Sequence, residues 1–350
     1  MAAINSINKN DVSNLFSFEF LKVLLRGSGQ VMFQNNAWTG LLFLCGIFWG
    51  AYEEGQPLVA WGSVVGLIVS TLTGYLLALP RGDGREGLWG FNGILVGCGF
   101  MTFLGSTFLT WFGLIICAAL STFVRTGFNN VMAPWKVNSL TFPFVFTTWF
   151  FLMAARVMKG LPPSFMASPH LPGDFSETIS LQFGDLVIYW LKGISQVFLI
   201  NSWVTGIFFL VALFVSNKWA AFWAAFASAL SLFFILIFKG PGSDIANGLY
   251  GFSAVLTGIA LGTVFYQANH RAAFVWCIAG IIITVFIQAA MNVFLTPIGL
   301  PTLTGPFCVA TWLFLLPLFK FYGEPTQSPD HSNWHTGHKK SVSNDSSETK

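Results

Sequence analysis

Apolar residues run along this chain in long unbroken stretches. Runs such as 58–79, 219–238 and 272–293 each approach the roughly 20 residues that a helix needs to cross a bilayer's hydrocarbon core. The first half carries such segments at about 17–33, 38–53, 58–79, 106–126 and 142–158, and the second at about 183–200, 203–216, 217–238, 271–293 and 304–322. Two shorter stretches, 88–100 and 249–261, are bounded by glycine. They are too short to span, and their length predicts re-entrant helices. Irregular backbone at the ends of such helices is tolerated only where it lines a cavity or is buried in protein.

The same pattern occurs twice. Residues 26–43, RGSGQVMFQNNAWTGLLF, are answered by 192–209, KGISQVFLINSWVTGIFF, at an offset of 166. GLWGFNGILVG at 87–97 is answered by GLYGFSAVLTG at 248–258, offset 161, and SLTFPFVFTTW at 139–149 by TLTGPFCVATW at 302–312, offset 163. Three blocks in the same order at nearly the same spacing make an internal repeat. Five crossings per half is an odd number, so the halves are expected to lie in opposite orientations with a site near the midplane between them. The sequence therefore predicts an all-α polytopic membrane protein of two inverted-topology repeats, each with five transmembrane helices plus one re-entrant half-helix. The expected limits are a polar N-terminus at 1–15, repeats at 16–165 and 183–322, an inter-repeat loop at 166–182 and a polar, disordered tail at 323–350.

Composition agrees. Of 350 residues, 54% are hydrophobic and 9% charged, too few charges to cover a water-soluble surface. The net charge of +3 is spread out and predicts no nucleic-acid partner. The N-terminus lacks the basic-then-apolar pattern of a cleaved signal. Cys45, Cys98, Cys117, Cys277 and Cys308 stand singly in apolar segments, as small core hydrophobes rather than metal ligands or disulfides. His331, His335 and His338 fall in the tail. Lysine and arginine favour the inner loops only slightly if both termini are inside, with Arg125 counted in such a loop, and cytoplasmic termini are expected.

Ionisable residues inside membrane segments are the default markers of ion or proton paths. Here they are few: Glu19, Lys22 and Arg26 near the first span, Asp185 and Lys192 near the sixth. Glu19 with Arg26, and Asp185 with Lys192, share a helix face, and are read as interfacial pairs with snorkelling side chains. No histidine lies in a span. The polar residues repeated in both halves are instead amides and hydroxyls: Gln30 and Gln196, Asn35 and Asn201, Thr141 and Thr304. Such groups either tie helices together or bond an uncharged polar solute, and their symmetric repetition beside the short helices favours a pore. Phe91 and Leu95 lie four apart on the first short helix, as do Phe252 and Leu256 on the second. Phe33 and Leu199 each follow their glutamine by three, and facing rings and leucines would form a slot for a planar molecule.

At these blocks, over roughly residues 16–322, the sequence resembles the urea transporter family, in the form of a compact bacterial member. The resemblance implies a homotrimer in the inner membrane with one pore per protomer, a narrow filter of carbonyl oxygens, passive diffusion of urea, membrane lipid as surroundings and no cofactor. It implies that Phe33, Phe91 and Leu95 form one slot and Leu199, Phe252 and Leu256 the other. Thr141 and Thr304 would mark the midpoint, and Gln30 and Gln196 would support the filter. Leu199 opposite Phe33, and Ser253 opposite Asn92, make the two slots unequal. The rival readings are a secondary active transporter, which needs an ion site deep in the membrane, and a channel for another small neutral or amine solute such as ammonia or short amides. An enzyme needs a nucleophile with its base or clustered metal ligands, and neither pattern occurs.

Overall fold

The computed structural model describes residues 18–173, 179–266 and 271–317. The N-terminus 1–15 and the tail 323–350 with its histidines lie outside the described residues. Fourteen helices fill the described part, and no β-strand forms there. The first seven are α1 (Phe18–Gln30), α2 (Ala37–Glu53), α3 (Pro57–Leu76), α4 (Arg81–Arg85), α5 (Phe91–Phe103), α6 (Phe108–Met132) and α7 (Phe142–Ala155). The second seven are α8 (Phe183–Ser195), α9 (Trp203–Ser216), α10 (Lys218–Ile237), α11 (Gly242–Ala246), α12 (Phe252–Ile259, continued by a π-helical turn to Phe265), α13 (Arg271–Leu295) and α14 (Gly305–Leu315). Each helix of the first half has its counterpart seven places later.

Local chemistry starts these helices at matching points. Asn36 Oδ1 accepts from the Trp38 and Thr39 amides at the start of α2, and Ser202 Oγ, the equivalent residue, accepts from the Thr205 amide at the start of α9. Such caps satisfy N–H groups that have no partner inside the helix. Pro143 and Pro306 stand in the first turns of α7 and α14, where a missing amide costs nothing. Left-handed backbone also recurs in register: Phe33 and Leu199, Ala78 and Lys239, Gly87 and Gly248, Lys136 and Gly299, Leu140 and Leu303.

The hydrogen bonds between the halves come in exchanged pairs. Thr39 Oγ1 donates to Ala212 O, and its equivalent Thr205 Oγ1 donates to Gly46 O, both at 2.8 Å. Trp149 Nε1 donates to Pro301 O at 2.8 Å and Trp312 Nε1 to Asn138 O at 2.9 Å. Contacts that swap partners in this way define a local twofold relation between the halves. Residue 39 meets 212 and residue 46 meets 205, so α2 and α9 run antiparallel.

Among the described residues four helices are long and apolar enough to cross a membrane: Pro57–Leu76, Phe108–Trp135, Lys218–Ile237 and Arg271–Ile298. The chain is an integral membrane protein. Segments expected as straight spans at 17–33 and 183–200 are shorter helices instead. Met32 and Phe33 bond back to Gly29 and Gln30, and Phe33 takes a φ of 63°, so the chain leaves the helix. The mate of this break, at Leu199, bends Phe183–Phe198 against Trp203–Ser216 by 71°. The run expected at 304–322 is helical from Gly305 to Leu315. The short stretches form α5 and α12 as expected, slightly displaced toward the C-terminus.

Helix α5 is buried along nearly its whole length, and small residues let it in. A Cβ on Gly97 would stand 1.9 Å from Gly62 O, and one on Gly66 would stand 2.0 Å from Gly93 O. Paired glycines at i and i+4 on both helices bring α3 and α5 into backbone contact, the means by which membrane helices associate closely. Cys98, Cys117, Cys277 and Cys308 are buried, and Cys45 is exposed.

Candidate permeation path

Helices α7 and α14 begin at buried residues that meet each other. Thr141 Oγ1 lies 2.6 Å from Thr304 Oγ1 and 3.4 Å from Cys308 Sγ. Both threonines are buried. Each occupies the N-cap position of its helix, yet neither side chain caps it. A threonine there normally accepts from an amide of the first turn, so the two hydroxyls are turned away from their helices and toward each other. The preceding residues, Leu140 and Leu303, hold φ at 54° and 49°. A left-handed bulky residue costs on the order of 1–3 kcal/mol and persists only where its surroundings impose it.

The two glutamines do equivalent work. Gln30 Nε2 donates to Glu86 O at 2.8 Å and Gln196 Nε2 to Asn247 O at 3.0 Å. Glu86 and Asn247 are equivalent residues in the turns that lead into α5 and α12. Each glutamine therefore fixes the turn at the start of one short helix, and Gln30 Oε1 is buried without a hydrogen-bond partner among the described residues. The asparagines share an orphaned oxygen: Oδ1 of Asn35 and Oδ1 of Asn201 are both buried without a hydrogen-bond partner among the described residues, and Asn201 Nδ2 donates to Asn247 Oδ1 at 3.0 Å.

The predicted slot residues lie in different surroundings. The ring of Phe33 packs edge-on against Phe265 and Phe307, with centroids 6.5 and 6.0 Å away. Leu199, Phe103 and Phe144 line a cavity of about 970 Å³ with Phe252, Gln196 and Thr304. Phe144 is the repeat mate of Phe307. Leu95 and Leu256 are fully buried and Phe91 nearly so, as their positions on α5 and α12 require. Of the predicted site residues the cavity walls include Gln196, Leu199, Phe252 and Thr304; Gln30, Phe33, Phe91, Leu95, Thr141 and Leu256 are not among them.

Three readings of charge need correction. Glu19 pairs with Lys22 at 2.8 Å rather than Arg26, and Arg26 donates to Arg85 O. Asp185 accepts from Ser180 Oγ instead of meeting Lys192. Arg125, counted as a loop residue, is buried within α6, whose helix continues to Met132. It pairs with Asp83 at 3.2 Å and lies over the ring of Phe91, 5.8 Å from its centroid. Its place near the end of an apolar run was the only signal, and hydropathy alone cannot tell a helix's last buried turn from a loop.

Two carboxyls sit in connecting segments beside this path. Burial raises Glu86 from 4.5 to about 7, with Asp83 adding to the rise and Arg26 opposing it. Burial likewise raises Glu54 to about 7, opposed by the Asn201 backbone and Lys192, with Glu53 adding to it. Among the described residues no group of histidine, cysteine or carboxylate side chains could hold a metal.

Compared with known proteins, residues 21–319 match the sequence profile of the urea transporter family. The chain belongs to the urea transporter family. It is 30% identical to sheep urea transporter 1 over 309 residues, 86% of this chain and 77% of that protein. The goat protein of the same name gives the same figures, and the rat protein is 30% identical over 304 residues, 85% and 77% of the two chains. The family is one of transport proteins rather than enzymes.

Proposed function

We propose that the chain is a channel for the passive diffusion of urea down its gradient, through a narrow filter between the two repeats. The observation that carries the reading is the meeting of Thr141 and Thr304 at 2.6 Å on the local twofold, between two ends each built from a glutamine fixing the turn before a short helix. Urea is planar and neutral, with four N–H donors and one acceptor. Each hydrogen bond lost on dehydration and not remade costs about 1–3 kcal/mol. Acceptors spaced along the path, such as Gln30 Oε1, replace those bonds in turn, which avoids both a deep well and a high barrier.

The antiparallel packing of α2 and α9 supports repeats inverted across the membrane. The intended site is then near the midplane, at the repeat interface, with Phe33, Phe91 and Leu95 as one slot and Leu199, Phe252 and Leu256 as the other. We place the protein in a bacterial inner membrane with both termini cytoplasmic, as a homotrimer with one pore per protomer. Stopped-flow light scattering on proteoliposomes given urea, ammonia or glycerol tests the substrate. Urea flux well above empty vesicles is expected, and equal flux of all three would overturn the reading. Light scattering of the purified protein in detergent gives the trimer mass or refutes it.

A further inference from the structure

The repeat is faithful in its backbone, which makes a change of charge at a buried position conspicuous. In the first half Asp83 on α4, Phe91 on α5 and Arg125 on α6 form a stack, with the guanidinium over the ring. Their repeat mates are Asp244, Phe252 and Gln288. The acid and the ring are kept, and the cation is replaced by an amide. Gln288 accepts from Ser253 Oγ at 3.1 Å and donates to Thr302 Oγ1 and Asn292 Oδ1 at 2.7 and 3.0 Å. No cation stands over Phe252 among the described residues. The titratable residues lining the cavity at this end are Glu54, His170, Asp244 and Tyr250.

The two slots therefore differ in field as well as in the exchange of Phe33 for Leu199. A ring attracts a cation through its negative face, and the Phe91 ring already has one. A second cation stacked on its other side would face a like charge across the ring, in a setting screened far less than water. Urea carries no charge and feels little of this. Guanidinium is planar, nearly the size of urea and rich in N–H donors, so shape alone would not refuse it.

We propose that Arg125 is a specificity-determining residue, by which the first slot refuses planar cations that its shape would admit. The proposal rests on the urea-channel reading. It also gives the path a sense: guanidinium entering from the second-half cavity should reach as far as the first slot and obstruct urea, whereas guanidinium from the other face should not enter.

The test compares urea and guanidinium flux in proteoliposomes of the full chain. The wild-type protein should pass urea and exclude guanidinium. Arg125→Gln recreates the acid, ring and amide combination with which the second half already folds. It should raise the guanidinium-to-urea flux ratio on the order of tenfold or more, the effect of a unit charge at about 9 Å under an effective dielectric near 20. The double change Asp83→Asn with Arg125→Gln leaves no buried carboxylate unpaired, and should give a smaller rise in the same direction. Arg125→Lys keeps the charge beside the ring and should leave the ratio well below that of Arg125→Gln. An unchanged ratio in both glutamine variants overturns the proposal. So does a leak in Arg125→Lys as large as in Arg125→Gln, or an equal change in both solutes at an unchanged melting temperature. Wild-type urea flux in the same vesicles separates the two claims. Without it the channel reading falls; with it, only the guanidinium measurements decide.

Discussion

Replacing both midpoint threonines by valine tests the path where its geometry is most constrained. Thr141 and Thr304 donate and accept between themselves at 2.6 Å, with Cys308 Sγ as the further neighbour. Valine keeps the shape and removes the hydroxyl. In either single variant the surviving hydroxyl is left buried without its partner, a loss of about 1–3 kcal/mol. In the double variant both polar groups are gone, and such a paired replacement is close to neutral. Melting temperature should therefore fall in each single variant and recover in the double. Flux should behave differently. If each hydroxyl contributes about 1 kcal/mol to urea at its barrier, each removal slows transport roughly fivefold, and the double variant is the slowest of all. Stopped-flow flux and thermal unfolding on the same preparations give both numbers. Stability recovering together with flux, or flux per folded protomer unchanged in the double variant, would refute the midpoint assignment and leave the pair as a structural contact.

Stability should fall as pH rises. Glu54 and Glu86 bind protons more tightly in the folded protein, at about 7 against an ordinary 4.5, so their favourable contribution is full below 4.5 and lost as pH climbs through 7. Melting temperature measured from pH 5 to 8 should decline, and Glu86→Gln should flatten part of that slope. Gly97→Ala should sharply lower melting temperature and yield of folded protein, because its Cβ would lie 1.9 Å from a backbone carbonyl of α3; wild-type stability would show that α5 has room to move. Gln30→Leu should cut urea flux about tenfold by freeing the Glu86 carbonyl and removing an acceptor, with normal flux counting against its role. Imposed proton or sodium gradients should leave urea uptake unchanged, and accumulation above the outside concentration would exclude a passive channel.

Much of this architecture was legible because the repeat is written in residue types with few structural alternatives. Prolines at 143 and 306 mark helix starts, and glycine-bounded runs too short to span mark the short buried helices α5 and α12. Offsets of 166, 161 and 163 between matching blocks align Thr141 with Thr304 and Gln30 with Gln196. The breaks after Gln30 and Ser195 were hidden, since Phe33 and Leu199 are apolar and nothing in their chemistry announces left-handed backbone. Hydropathy counts residues and is blind to φ. It also hid Arg125, because a buried ion pair is made by a partner about forty residues away in sequence.

The strained residues clarify why the hidden parts lie at the proposed path. Phe33, Leu199, Leu140 and Leu303 all hold positive φ, at a cost of order 1–3 kcal/mol each. Glycine would remove that cost and also the side chain. At Phe33 the ring is wanted, packed edge-on against Phe265 and Phe307. At Leu140 and Leu303 the left-handed step ends one stretch of chain and begins α7 or α14 with its threonine at the twofold. Straight helices could not bring two helix N-termini and two chain breaks to one interface, because a continuous helix satisfies its own amides and carbonyls. In the proposed channel these breaks would release backbone groups where urea would otherwise meet only hydrocarbon. Strain concentrated at repeat-equivalent positions is thus the local cost of exposing polar groups inside a membrane protein, and the glycine-packed contact between α3 and α5 helps to hold it in place.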